Sequence, residues 1–334
     1  MTAFNGIIIT FLTFAFFFFL YYFISSKKKL VIKSLLVFLF SSSLVTSVSI
    51  FYYVSTNNLV LDIPFLSKQL VYSEEYSKEN PKYENFLVVM NNQIVESFIE
   101  YKDGVEYAES QPEDVAIHYR TKGNIIWQST TRLSKKVLLD VPLVNQYPEL
   151  PRGCEVTSLA MVLQYYHLNA DKLTLAEEVK KETTPLEVKD GKIYYGDPNK
   201  GFVGDMYDLN KPGYGVYHKP IERLAKQYKG DKVVDITGAN FDHVLVQVSK
   251  GRPVWIITNT RYKKLPNSSF ETWHTPNGKI DITYHLHSVV ITGFDNDYIY
   301  FNDPLHETPN RKKAKQPFIE AWEQMGKQAI FILE

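Results

Sequence analysis

The 334-residue chain has one cysteine, Cys154, so it cannot close a disulfide within itself. That excludes the cystine framework on which small exported domains commonly rely. It has no net charge either, with 37 basic and 37 acidic residues, and so offers no global attraction to nucleic acid. No basic residue precedes the first apolar run, as a cleavable signal peptide would require. No GxxxxGK[ST] is present to cradle a nucleoside triphosphate, and no internal repeat or biased tract occurs beyond Phe16 to Phe19.

Charge is also scarce over the first 54 residues, where Lys27, Lys28, Lys29 and Lys33 are the only ionised side chains. Residues 6–24 and 34–54 are uncharged apolar runs, each close to the ~20 residues that cross a bilayer. The lysines lie between them, in residues 25–33, and a short lysine-rich loop stays cytoplasmic. The expectation is a transmembrane hairpin over residues 1–54, with everything after Val54 outside a plasma membrane. Signal-peptidase cleavage after the second run is the alternative, and two buried core helices fit the phenylalanine-rich surface less well.

Beyond the hairpin the chain carries a net charge of −4. Residues 55–84 are polar and read as a linker. Residues 85–134 read as a small β-rich region: β-favouring runs such as NFLVVM, VEYAES and VAIHYR are separated by turn signals at Lys102-Asp103-Gly104 and Lys122-Gly123-Asn124. Residues 135–334 read as one α+β domain, with helices first and antiparallel strands later.

Cys154 follows the turn-forming Pro151-Arg152-Gly153 and precedes Val156, Leu159, Ala160 and Leu163, which recur at helical spacing. The thiol is therefore placed at a helix N-terminus, where the helix dipole favours thiolate. A lone cysteine is often just a small buried apolar group. Outside the membrane, though, an unpaired thiol has more use as a nucleophile. Gln146, a few residues upstream, is an amide donor within reach of the same point.

In the run from His287 to Asp303, folding about Asn296 pairs positions whose numbers sum to about 592, which sets Asp303 diagonally across from His287. The imidazole can then take the Cys154 proton while Asp303, or Asn302 beside it, orients the ring. Gln146 and the Cys154 N–H would meet the oxyanion. A metal site built from Cys154, His285 and His287 is the competing use of these residues. His118, His167, His218, His243, His274 and His306 read as structural, surface or loop residues.

The segments VNQ, GCEVTSLAMVLQYY, GFVGDMYDLNKPGYGVYHKPIERLAKQY, GRPVWIITNT, HSVVITGFD and YFNDP occur in that order between Leu139 and Glu334. Together they resemble the bacterial cysteine peptidase-like family related to the bacteriocin-leader (double-glycine) peptidases, within the papain-like clan. The resemblance implies a papain-like fold, with Cys154 as nucleophile, His287 as general base and acid, Asp303 as orienting residue and Gln146 in the oxyanion hole, and no metal or organic cofactor. Leader-processing members follow the cysteine with glycine, where this chain has Glu155, and are usually fused to an ATP-binding exporter domain. A double-glycine leader is therefore not the expected substrate.

The expectation is thus a membrane-anchored cysteine peptidase or amide hydrolase facing outward, acting on a peptide or cell-envelope amide and not on nucleic acid. An acyl transferase with the same residues and a non-catalytic surface protein that binds peptide or cell-wall polymer are the alternatives. The Tyr/Gly-rich loop from Tyr194 to His218, with Trp273, is expected either to line the substrate groove or to be plain structure. The oligomeric state is left open.

Overall fold

A computed structural model of the protein describes residues 85–334. The expected membrane hairpin and linker lie outside these residues. Among the described residues no helix is long and apolar enough to cross a membrane.

The chain opens with β1 (Phe86–Met90), β2 (Gln93–Phe98), α1 (Tyr101–Glu109), β3 (Val115–Tyr119) and β4 (Ile125–Gln128), the strands forming an antiparallel sheet of order β2-β1-β3-β4. The expectation of strands alone is corrected here, because VEYAES belongs to a helix. Tyr101, Val105 and Ala108 recur at i, i+4 and i+7, and burying that stripe outweighs the β preference of Val105 and Tyr107. Gly104, read as a turn, sits on the same stripe against Phe98 and Phe86.

Next come β5 (Val137–Leu138), α2 (Cys154–Tyr165), α3 (Lys172–Glu178), β6 (Lys181–Glu182), β7 (Glu187–Lys189), β8 (Lys192–Tyr194) and β9 (Phe202–Val203). They are followed by α4 (His218–Lys229), β10 (Val233–Asp235), α5 (Phe241–Ser249), β11 (Val254–Asn259), β12 (Glu271–Thr275) and β13 (Gly278–Ile282). The chain ends with β14 (Leu286–Phe294), β15 (Tyr298–Asn302), β16 (Arg311–Ala314), α6 (Lys315–Gln324) and β17 (Ala329–Ile332).

The architecture is mixed α+β around a seven-stranded antiparallel sheet of order β10-β17-β11-β14-β15-β16, with β5 paired to β14. Both faces of this sheet are covered, so its central strands β11, β14 and β17 are buried along their whole length rather than at alternate residues. Successive side chains still point to opposite faces. Trp255, Ile257, Val290, Ile330 and Ile332 join α2, α3 and α4 in one core, while Val254, Ile256, Val289, Ile291 and Phe331 join α5, α6 and the N-terminal sheet in the other.

The N-terminal sheet is thus packed into the second core and is not a free module. The Tyr119 hydroxyl donates to the Val233 carbonyl at 3.0 Å, and the Gln247 amide donates to the Ile126 carbonyl at 2.7 Å. His243, read from the sequence as a surface or loop residue, is buried at this junction. Its Nδ1 meets the Tyr101 hydroxyl at 2.8 Å, and its ring stacks on Trp127 with centroids 5.0 Å apart.

Trp273 is likewise not in a polar loop. It lies on β12, fully buried, with Tyr195 and Tyr214 packed on it at 5.1 and 5.0 Å between ring centroids. Of the two roles the sequence left open, substrate groove or plain structure, these three buried aromatics take the second.

Candidate active site

The nucleophile candidate is placed by a tight turn and a buried helix. Leu150, fully buried, packs under Gly153, where a Cβ would lie 2.5 Å from the leucine Cβ, so only glycine lets the chain turn this closely into α2. The helix starts at Cys154 itself, with no side-chain cap, and its first ten residues are buried. A helix surrounded on every side cannot shift, so the sulfur is held by packing.

The other half comes from the hairpin β14–β15. Val290 pairs with Asn302 and Ile291 with Phe301, the expected sum of 592. An irregularity between Ile291 and Gly293 shifts the far end by one residue and leaves the site end in register. His287 Nε2 consequently lies 2.8 Å from Asp303 Oδ1, with both side chains almost wholly buried. α2 packs directly against β14. The backbone N–H of Ser288, the residue after His287, lowers the pKa of the Cys154 thiol, against larger effects that raise it.

Three groups beyond those expected converge on Asp303. Tyr262 donates its hydroxyl and Arg311 its guanidinium to Oδ2, while the Leu305 N–H donates to Oδ1 at 3.0 Å. Burial pushes this carboxyl up, but the hydrogen bonds from His287, Tyr262 and Leu305 outweigh it and hold the group below the usual carboxylate range. Asp303 is therefore ionised at any physiological pH. Asn302 has another job: its amide donates to the Val141 carbonyl at 2.8 Å and its oxygen accepts from Asn310 N–H at 2.9 Å, tying the approach to the site onto the sheet.

Gln146 is at the site, anchored by its own N–H on the Pro304 carbonyl at 2.8 Å. Its side-chain amide donates to the Leu150 and Pro151 carbonyls at 3.1 and 3.0 Å, and its Oε1 is buried without a partner. In this structure the amide braces the turn ahead of Cys154.

The thiol differs from the expectation of a ready thiolate. Burial pushes its pKa well above the ordinary value, and the neighbouring Glu155 carboxylate pushes it further, against a smaller opposing effect of the Ser288 N–H. Cys154 Sγ donates to Glu155 Oε2 at 3.2 Å. Among the described residues no cluster of three metal-ligating side chains forms, so the Cys154, His285, His287 metal site is not assembled. His285 instead contacts the Thr260 hydroxyl at 3.1 Å through Nδ1.

A second buried imidazole–carboxylate pair exists. His218, also read as surface or loop, meets Asp235 through Nδ1, but its remaining contact is the Gln328 side chain on its N–H, with no thiol in reach. What distinguishes His287 is its place on β14, the strand against which the helix that begins at Cys154 packs. Tyr262 and Arg311 were out of reach of sequence reasoning, since nothing in a β-turn tyrosine or a basic strand announces a carboxylate partner. Glu155 carried a signal, as an acidic residue in the first turn of an otherwise apolar helix.

Residues 138–330 match the family described as Peptidase_C39 like family, more than half of the chain. The chain belongs to the Peptidase_C39-like family. It is 52 % identical over 196 residues to the uncharacterized protein YvpB of Bacillus subtilis (strain 168), a match spanning 58 % of this chain and 75 % of the relative. It is also similar to a crystal structure of a candidate C39-like peptidase from Bacillus anthracis, at 46 % identity and a TM-score of 0.56, covering 60 % of this chain and 98 % of that one. The C39-like region takes in all four of Gln146, Cys154, His287 and Asp303, and the mixed α+β fold described above is that of this family.

Proposed function

We propose that the chain is a cysteine peptidase or related amide hydrolase, held by its N-terminal apolar hairpin on the outer face of a membrane. The observation that carries the reading is the buried His287–Asp303 pair at 2.8 Å, set on the strand against which the Cys154 helix packs. Because Nε2 is engaged with Asp303, Nδ1 is the ring nitrogen available to the thiol.

In this mechanism Nδ1 takes the thiol proton and the thiolate attacks an amide carbonyl. The Cys154 N–H, an orphan donor in the first turn of α2, meets the oxyanion. Gln146 joins it once its amide leaves the Pro151 carbonyl. The imidazolium returns its proton to the departing amine, leaving a thioester. Water, deprotonated by the same ring, then releases the acid and the free thiol. Ionised Asp303 keeps the ring oriented and stabilises its charged form.

The test is digestion of a complex peptide mixture with the purified full-length protein, new termini being read by mass spectrometry. Wild type is expected to generate them, Cys154→Ala none, and His287→Ala on the order of 10²–10⁴-fold fewer. Undiminished cleavage by Cys154→Ala would sink the reading. Orientation has a separate check, since protease added to intact cells should remove residues 85–334 if the lysine loop is cytoplasmic.

A further inference from the structure

Glu155 touches the reacting sulfur and has no part in the cycle above. Its position is closely fixed. Oε2 accepts from Cys154 Sγ at 3.2 Å and Oε1 accepts from Val216 N–H at 2.9 Å, while the Trp255 indole donates to its main-chain carbonyl at 2.9 Å. A Cβ on Gly215 would lie 2.3 Å from Oε1, so glycine there is what makes room for the carboxyl group.

A carboxylate that is 1 % exposed normally has a cation beside it. Among the described residues Glu155 forms no ion pair, and its surroundings are neutral or acidic. On its own helix it faces Cys154. From the 214–217 loop come the Tyr214 and Tyr217 hydroxyls, bonded to each other at 3.1 Å. From β14 come His287 and the Ser288 N–H, with Asp303 behind them and Tyr262 and Arg311 committed to that aspartate.

A thiolate and a carboxylate this close in a buried site are not both ionised at once. Resting on the reading of Cys154 as nucleophile, we propose that Glu155 is a further catalytic residue: as the neutral acid it donates a hydrogen bond to the Cys154 thiolate, and as the carboxylate it holds the sulfur as a thiol.

The proton balance follows directly. In the competent state the thiolate accepts from the Glu155 O–H and faces the His287 imidazolium. Loss of the Glu155 proton to solvent makes the site doubly anionic at the sulfur, and the thiolate takes back the imidazolium proton. The result is the thiol-to-carboxylate hydrogen bond seen here. Burial, only partly opposed by the Val216 N–H, raises Glu155 to about 7, which puts this change at neutrality. The nucleophile is then strongest on the acid side of pH 7.

Because Cys154 is the only cysteine, iodoacetamide modification of the full-length protein reports on this sulfur alone. Rates are measured from pH 5 to 9 for wild type, Glu155→Gln and His287→Ala. Between pH 6 and 8 a free thiol of pKa about 8.5 gains several tens-fold in rate, whereas wild type is expected to stay level or fall. Glu155→Gln, neutral at every pH and still a donor, is expected to react at least tenfold faster than wild type at pH 8 and equally fast at pH 5.5.

Superimposable wild-type and Glu155→Gln profiles overturn the proposal. An ordinary thiol titration in wild type does so as well, a result that needs no variant to fold. His287→Ala separates the two readings. A rate unchanged in that variant removes the Cys–His hydrolase, whereas a rate lost there but untouched by Glu155→Gln removes only the role of Glu155.

Discussion

Asp303 shows how a single residue can be fixed from four directions. His287, Tyr262, Arg311 and the Leu305 N–H all reach its two oxygens. A hydrogen bond to a charged group contributes ~1.5–3 kcal/mol, so Tyr262→Phe is expected to lower kcat about tenfold or more through a less well oriented imidazole, with KM little changed. Peptide cleavage rates against substrate concentration check this, and a change in KM alone would contradict it. The pairing of His287 with Asp303 was legible in the sequence because it needed only a turn centre and the two-residue period of a strand. The rest of the cluster was not, because Tyr262 arrives from the turn after β11 and Arg311 from β16, and their spacing from Asp303 encodes nothing. Glu155 was visible as an oddity, but its grip on the sulfur depends on a side chain folding back along its own helix.

Elements carry their own lesson. The hairpin β14–β15 keeps its register where it matters because the irregularity lies at Ile291/Gly293, on the far side from His287. At Gly293 the strand β5 comes so close that an added Cβ would lie 2.4 Å from the Val137 carbonyl oxygen. Gly293→Ala must therefore push β5 away, and overpacking of this kind costs ~1–3 kcal/mol. Thermal unfolding should show a Tm lower by roughly 2–4 °C per kcal/mol, and an unchanged Tm would mean that β5 is not held there. Activity should fall too, since the chain runs from β5 to Gln146. The helix α2 could be read from the periodicity of Val156, Leu159, Ala160 and Leu163. α1 could not, because its sequence satisfies the strand pattern as well, and only the packing of Tyr101, Val105 and Ala108 decides between them.

At the scale of the molecule, one sheet separates two cores, and the N-terminal sheet belongs to the second. The sequence said nothing of where that segment packs, since the contacts join residues more than a hundred positions apart. Its attachment depends on a neutral imidazole. Burial lowers His243 to about 4, and in that state Nδ1 accepts the Tyr101 hydroxyl. A histidine whose folded pKa is depressed contributes stability that is complete above its unfolded value of about 6.5 and is lost as pH falls towards 4, at ~1.4 kcal/mol per unit. Amide exchange in β1 and β3 should accelerate over that window, and protection constant from pH 7 to 4 would count against the linkage.

The two margins of the seven-stranded sheet have a consequence for how this protein meets copies of itself. On one side β16 presents Lys312 and Lys313, two cations along an outermost strand whose Arg311 is already paired with Asp303. On the other, β10 is three residues long and its Val233 carbonyl is already taken by Tyr119. An incoming strand meets electrostatic repulsion at one margin and a spent acceptor at the other, so chains crowded side by side on a surface have no ready route to sheet-to-sheet aggregation.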